Sequence, residues 1–128
     1  MRFLLDTCTF IWLATDVSSL SSTTQELLGD RANELLLSPV STWEMSIKYA
    51  RGRLDLSERP DRWVPKFRKL NAIDSLPLTE ESVLYLSGLP SHHTDPFDRM
   101  LVCQAIAEGV TILTPDELIR QYPVRTIW

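Results

Sequence analysis

A three-layer α/β/α sandwich with a mostly parallel sheet is the fold class this sequence predicts, and three observations predict it. Short apolar runs of strand length, RFLLD at 2–6, ELLLS at 34–38 and VTILT at 110–114, alternate with stretches of helical periodicity. Parallel neighbours need crossover helices, which then cover both faces of the sheet. The 128 residues are 44% apolar and 23% charged. That composition suits a single unit over 1–128, burying ~65–70% of its unfolded surface without metal or disulfide staples.

The first strand, 2–6, is a buried run that ends on Asp6. A helix follows on Phe10, Ile11, Leu13 and Ala14, and a second runs over 21–29 to a stop at Gly29. After the strand at 34–38, Pro39 starts a helix in which Val40, Trp43, Ile47 and Ala50 recur at helical spacing up to Gly52. A charged helix over 59–70 carries Trp63, Phe67 and Leu70 on one buried stripe. Residues 72–78 read as a strand weakened by Pro77. Thr79 caps the next helix, where Glu80 and Glu81 suit the positive end of the dipole and Val83, Leu84 and Leu86 form the apolar side. The helix over 96–108 aligns Phe97, Leu101 and Ala105, and Gly109 stops it before the strand at 110–114. A short helix from Pro115 and a strand over 124–128 complete the chain, which has no repeat, low-complexity tract or linker.

The net charge of −4 argues against a generic polyanion coat, but the charge is unevenly placed. Eight basic side chains (Lys48, Arg51, Arg53, Arg59, Arg62, Lys66, Arg68 and Lys69) against Asp55, Glu58 and Asp61 leave that stretch at +5 and the remainder at −9. Such a pairing suits a polyanion held against bound cations, and equally a solvated helical hairpin. The longest apolar run, at 10–14, is five residues, against ~20 for a membrane span. Arg2 is followed by only three apolar residues before Asp6, so no secretory signal is expected and the cytosol is the expected compartment. In that reducing compartment Cys8 and Cys103 read as small buried hydrophobes.

Five acids, Asp6, Glu44, Asp95, Asp98 and Asp116, each have a local explanation. Ser41 and Glu44 form an S-x-x-E capping box, with Lys48 a further partner for Glu44 four residues on. Asp95, Pro96 and Asp98 read as cap, first-turn proline and capping partner; Thr114, Pro115 and Glu117 form a similar start beside Asp116; Asp6 caps the helix after it. Their joint placement says more. In a parallel sheet, helix N-termini share an edge with strand C-termini, so Asp6, Glu44, Asp98 and Asp116 should converge where ligands of open α/β sheets bind. Two like charges ~4 Å apart repel by ~4 kcal/mol at an effective dielectric of 20. Raised pKa values or a bound cation relieve that repulsion, and an all-carboxylate set selects a hard ion, magnesium or manganese, over zinc. Phosphodiester hydrolysis is the natural use of such a centre, with Arg99 or the basic segment holding the substrate backbone.

These residues resemble the PIN-domain nucleases, and within them the VapC-type ribonuclease toxins of toxin–antitoxin pairs. The likeness covers nearly the whole chain, in LLDTCTFIWL, PVSTWEMSIKYARGRL, LPLTEESVLYLSGLP, HHTDPFDRMLVCQAIAEG and TILTPDELIRQYPVRTIW. The resemblance implies Asp6, Glu44, Asp98 and Asp116 as the metal-binding acids in chain order, with Asp95 as the cap that positions Asp98. It also implies Thr7 and Thr114 as hydroxyl residues beside the metal. It further implies magnesium- or manganese-dependent cleavage of RNA, transfer RNA among the candidates, leaving a 3′-hydroxyl and a 5′-phosphate. A wrapping antitoxin and a homodimer built through the helical side complete the expectation, with Trp12, Trp43 and Trp63 available to a peptide or, as the plainer reading, to the core.

Three other readings are separable. His92 and His93 invite a metal-free acid–base mechanism, but successive side chains of an extended segment point to opposite faces, and a loop role is the plainer reading. A signalling receiver needs a phosphoacceptor aspartate at a middle strand end and a late lysine; Ser38 ends the second strand and no lysine follows Lys69. A PIN-like domain that binds RNA or a partner without cutting is the third alternative.

Overall fold

The structure is a computed structural model describing residues 1–128. Five parallel strands form one sheet in the order β3-β2-β1-β4-β5, with β1 (Arg2–Leu5) at its centre, β2 (Glu34–Leu37) and β3 (Ile73–Ser75) on one side and β4 (Thr111–Leu113) and β5 (Thr126–Ile127) on the other. Seven helices accompany them: α1 (Thr7–Thr15), α2 (Ser22–Gly29), α3 (Pro39–Ala50), α4 (Pro60–Leu70), α5 (Glu80–Leu84), α6 (Pro96–Glu108) and α7 (Glu117–Arg120). The predicted three-layer fold is the observed one. No helix is long and apolar enough to cross a membrane.

Alternation along the strands divides the core in two. Phe3 and Leu5, in register with Leu35, Leu37 and Leu113, pack with Phe10, Met45, Trp63 and Val64 of α1, α3 and α4. Leu4, Leu36 and Ile112 face the opposite way, onto Leu101, Val102 and Ala105 of α6 together with Ile119 and Tyr122. Each fully buried Leu, Phe or Val contributes ~1.5–3 kcal/mol relative to exposure. These two slabs fix the sheet between its helical layers.

Several boundaries move from their sequence-predicted positions, for identifiable reasons. The first two strands end one residue early, at Leu5 and Leu37, because the side chains of Asp6 and Ser38 cap the helices that follow: Asp6 accepts from the Thr7 N–H and Ser38 from the Val40 N–H; Asp116, past the end of β4, likewise accepts from the Leu118 N–H. Ser41 is therefore not a cap, and Glu44 sits one turn inside α3. The strand expected over 72–78 shrinks to Ile73–Ser75, followed by one more bond from Leu76 N–H to the Leu37 carbonyl before Pro77. Leu70, expected on the buried stripe of α4, is the helix's last residue and 69% exposed, lining a surface groove with Leu28 and Asn71. Val83, Leu84 and Leu86 also face outward, because Ser82, not they, is the buried side of α5. Of the three tryptophans only Trp63 is core; Trp43 is 59% exposed with its ring edge-on to Phe97.

Candidate functional site

The strand order places a crevice at the carboxyl ends of β1 and β4. The chain leaves β1 toward β2 and β3, then returns to the other side of β1 as β4, so the switch in direction falls between these two strands. Asp6 follows β1 directly and extends the ladder through its N–H to the Leu113 carbonyl, 3.2 Å. Its Oδ1 accepts from the Thr7 N–H at 2.7 Å and its Oδ2 from the Thr114 hydroxyl at 2.7 Å, 108 residues away in sequence. Thr114 thus joins the two strand ends, and its Oγ1 also accepts from the Asp116 N–H at 3.0 Å.

Glu44 reaches the same crevice from α3. Its Oε1 accepts from the Thr7 hydroxyl at 2.7 Å, and its Oε2 receives Lys48 Nζ at 2.5 Å across one turn. That bond to Glu44 holds the Lys48 ammonium above its usual pKa range, against some desolvation. Asp98 enters from the first turn of α6, whose cap, Asp95, accepts from the N–H groups of Phe97 and Asp98. The expected return half of that capping box is not made; Asp98 Oδ2 instead lies 3.4 Å from Nε2 of His93. Asp116 caps α7 and is half-buried.

All five acids line one cleft of about 260 Å3, with Thr7, Cys8, Lys48 and Leu54 among its walls. Its electrostatics follow from that crowding. Burial, reinforced by the charges of Asp6, Asp95, Glu44 and Asp116, pushes the Asp98 carboxyl up to about 8. Burial also raises Asp6, partly offset by its bonds from Thr114 and Thr7. Burial and the neighbouring Asp6 push the Cys8 thiol up to about 12, which leaves it protonated and unreactive at neutral pH. Cys103 is buried, and both cysteines are free.

Carboxylate and hydroxyl oxygens are the donors a hard divalent cation takes, so the residues fit such an ion in kind. They do not yet enclose one, since no three His, Cys, Asp or Glu side chains stand close enough to hold a metal ion as placed. The arrangement is a shared acidic cleft whose mutual repulsion is relieved by a proton on Asp98 or by a cation drawing the carboxylates together.

Two residues stand differently from their sequence-based roles. Arg99 is spent on the Pro90 carbonyl, 2.7 Å, and the Tyr122 hydroxyl, 3.0 Å, and does not line the cleft. His93 is the neighbour of Asp98 that sequence reasoning missed, because it lies in a loop five residues before that acid, where spacing predicts no contact. His92 stacks edge-on against Tyr122.

The profile of the PIN domain matches residues 3–124. None of the curated proteins matches the chain. Among solved structures, VapBC2 of Rickettsia felis bound to a DNA fragment from its promoter is similar with a TM-score of 0.75 at 16% identity, over 99% of this chain and 98% of that one. DNA-bound VapBC of Salmonella typhimurium gives 0.70 at 15% identity, over 99% and 97%. VapBC-1 of nontypeable Haemophilus influenzae gives 0.64 at 18%, over 99% and 97%. At these identities the likeness is one of fold.

Proposed function

The chain belongs to the PIN-domain family, and from that premise we propose that it is a magnesium- or manganese-dependent endoribonuclease, the toxin of a toxin–antitoxin pair. The observation that carries the proposal is the gathering of Asp6, Glu44, Asp95, Asp98 and Asp116 from four distant parts of the chain into one cleft at the switch point of the sheet. Asp6, Glu44, Asp98 and Asp116 would hold the metal. When bound, the ion supplies a water of lowered pKa and neutralises charge on the phosphoryl group.

The chain's own residues do the positioning. Thr114 and the Thr7 N–H fix both oxygens of Asp6, and the Thr7 hydroxyl fixes Glu44, so these two carboxylates arrive with their orientation set. Asp95 shapes the first turn of α6 and thereby aims Asp98. Lys48, on the cleft wall, brings a cation beside the acids where a substrate phosphate would pass. The basic segment that begins there would carry the sequence-independent part of RNA binding, with single-stranded regions, including those of transfer RNA, as the accessible substrate. Cytosolic location, a homodimer and an antitoxin that covers the cleft belong to the same reading; likeness in fold to the VapBC complexes supports the antitoxin partner.

The test is incubation of purified, partner-free protein with total cellular RNA, with and without magnesium or manganese, and mapping of the cut ends. Metal-dependent cuts leaving 5′-phosphates are expected. Asp6→Asn and Asp98→Asn should each reduce cleavage by at least ~100-fold while the fold survives. Cleavage that persists in chelator, or in both variants, overturns the reading. The second reading, a PIN-like domain that binds RNA or a partner without cutting, has one observation in its favour: no three acids are close enough to enclose an ion as they stand. RNA binding without cuts at saturating manganese would establish it.

A further inference from the structure

His93 lies in the stretch between α5 and α6, with its side chain only 9% exposed. Its ring is held at both nitrogens: Nδ1 is 2.7 Å from the Tyr122 hydroxyl and Nε2 is 3.4 Å from Asp98 Oδ2. The Tyr122 oxygen, on a residue itself 3% exposed, receives two further groups, Arg99 Nη1 at 3.0 Å and the backbone N–H of His93 at 3.3 Å. Guanidinium and amide N–H groups can only donate. Those two bonds occupy the acceptor capacity of the phenol oxygen, and His93 Nδ1 is the acceptor that stands beside its own proton. Nδ1 therefore accepts, and the ring carries its proton on Nε2, toward Asp98.

The geometry points to His93 as a positioning residue for Asp98: a Tyr122–Arg99 clamp sets the imidazole tautomer, so that Nε2–H is presented to Oδ2 of Asp98. Arg99 is in turn anchored by the Pro90 carbonyl at 2.7 Å, which ties the clamp to the start of the same segment. The Nε2 approach is long for a charge-assisted bond, normally ~2.7–2.9 Å for N–H to carboxylate. The well-made part of the chain of bonds is thus the part that chooses the tautomer, and the looser end is the part that meets the acid. Fixing a carboxylate through an outer hydrogen bond is worth roughly 10- to 100-fold in metal affinity at sites of this kind. The inference rests on the reading of Asp98 as a metal-binding acid.

Two measurements test it on the full chain. In nitrogen-15 NMR of the wild-type protein, His93 is expected in the Nε2–H tautomer, and Tyr122→Phe should convert it to a mixture; an Nδ1–H ring in the wild type overturns the inference without any metal present. Manganese binding, followed by calorimetry in the absence of RNA, should weaken roughly 10- to 100-fold in His93→Ala. His93→Gln, whose amide can still donate toward Asp98, should recover most of that loss. Unchanged binding in His93→Ala, with binding lost in Asp98→Asn, overturns the positioning role alone. Unchanged binding in both variants removes the metal-site reading and this inference with it.

Discussion

Asp98 is a carboxylic acid whose surroundings oppose its ionisation, first by burial and then by four other acids. With a folded pKa of about 8 against an ordinary value of 3.8, the folded protein holds a proton that the unfolded chain releases across that window. The stability contributed by this group is therefore complete below the unfolded value and is lost as pH rises through the folded one. In metal-free buffer the melting temperature should fall between about pH 4 and 8, and Asp98→Asn, which cannot ionise, should flatten the slope. A melting temperature that climbs over that range contradicts this electrostatic picture of the cleft. Manganese competes with the same proton, so the increase in melting temperature it produces should be larger near pH 8 than near pH 6, readable by scanning calorimetry.

At the scale of the element, α6 shows what a sequence reveals about itself. Its bounds, Pro96–Glu108, are legible because local chemistry sets both ends: Asp95 and Pro96 at the start, and Gly109 in the left-handed conformation, φ 65°, at the stop. The start of α3 is ambiguous in sequence because two serines compete for the cap, and the choice of Ser38 over Ser41 depends on where β2 stops pairing. His93 is illegible as a neighbour of Asp98, since a loop has no periodicity and its clamp comes from Tyr122, 29 residues later. The exposure of Trp43 and Leu70 is equally hidden, because helical spacing identifies a stripe but not what covers it. Asp95 separates the two roles of an acid at a helix start. Asp95→Asn keeps a capping side chain and removes a charge beside Asp98, so urea denaturation should show little loss and the Asp98 titration should move down. Asp95→Ala should cost about 1 kcal/mol through the missing cap.

For the molecule as a whole, the meeting of Asp6, Glu44, Asp98 and Asp116 in one cleft is foreseeable, since the edge they share follows from the general geometry of parallel crossovers and not from any single side chain. What the sequence alone leaves open is the distance between them, which depends on packing across both slabs of the core. The segregation of charge, +5 over 48–69 against an acidic remainder, makes a claim at this scale too. Arg51→Glu with Arg53→Glu should raise KM for RNA with kcat little changed. The same pair should lower the slope of log affinity against log salt by ~0.7 for each phosphate no longer neutralised on single strands. An unaltered slope would place RNA elsewhere on the surface. The central strand is synthesised before the other four, yet it pairs with β4 more than a hundred residues later, and Asp6 takes its Oδ2 bond from a hydroxyl 108 residues downstream. A growing polypeptide on the ribosome therefore carries the first acid long before it can build the pocket. On the proposed reading, cleavage of RNA has to wait until translation has delivered residues 111–116, so a prematurely terminated product lacking them should be inert in the cleavage assay.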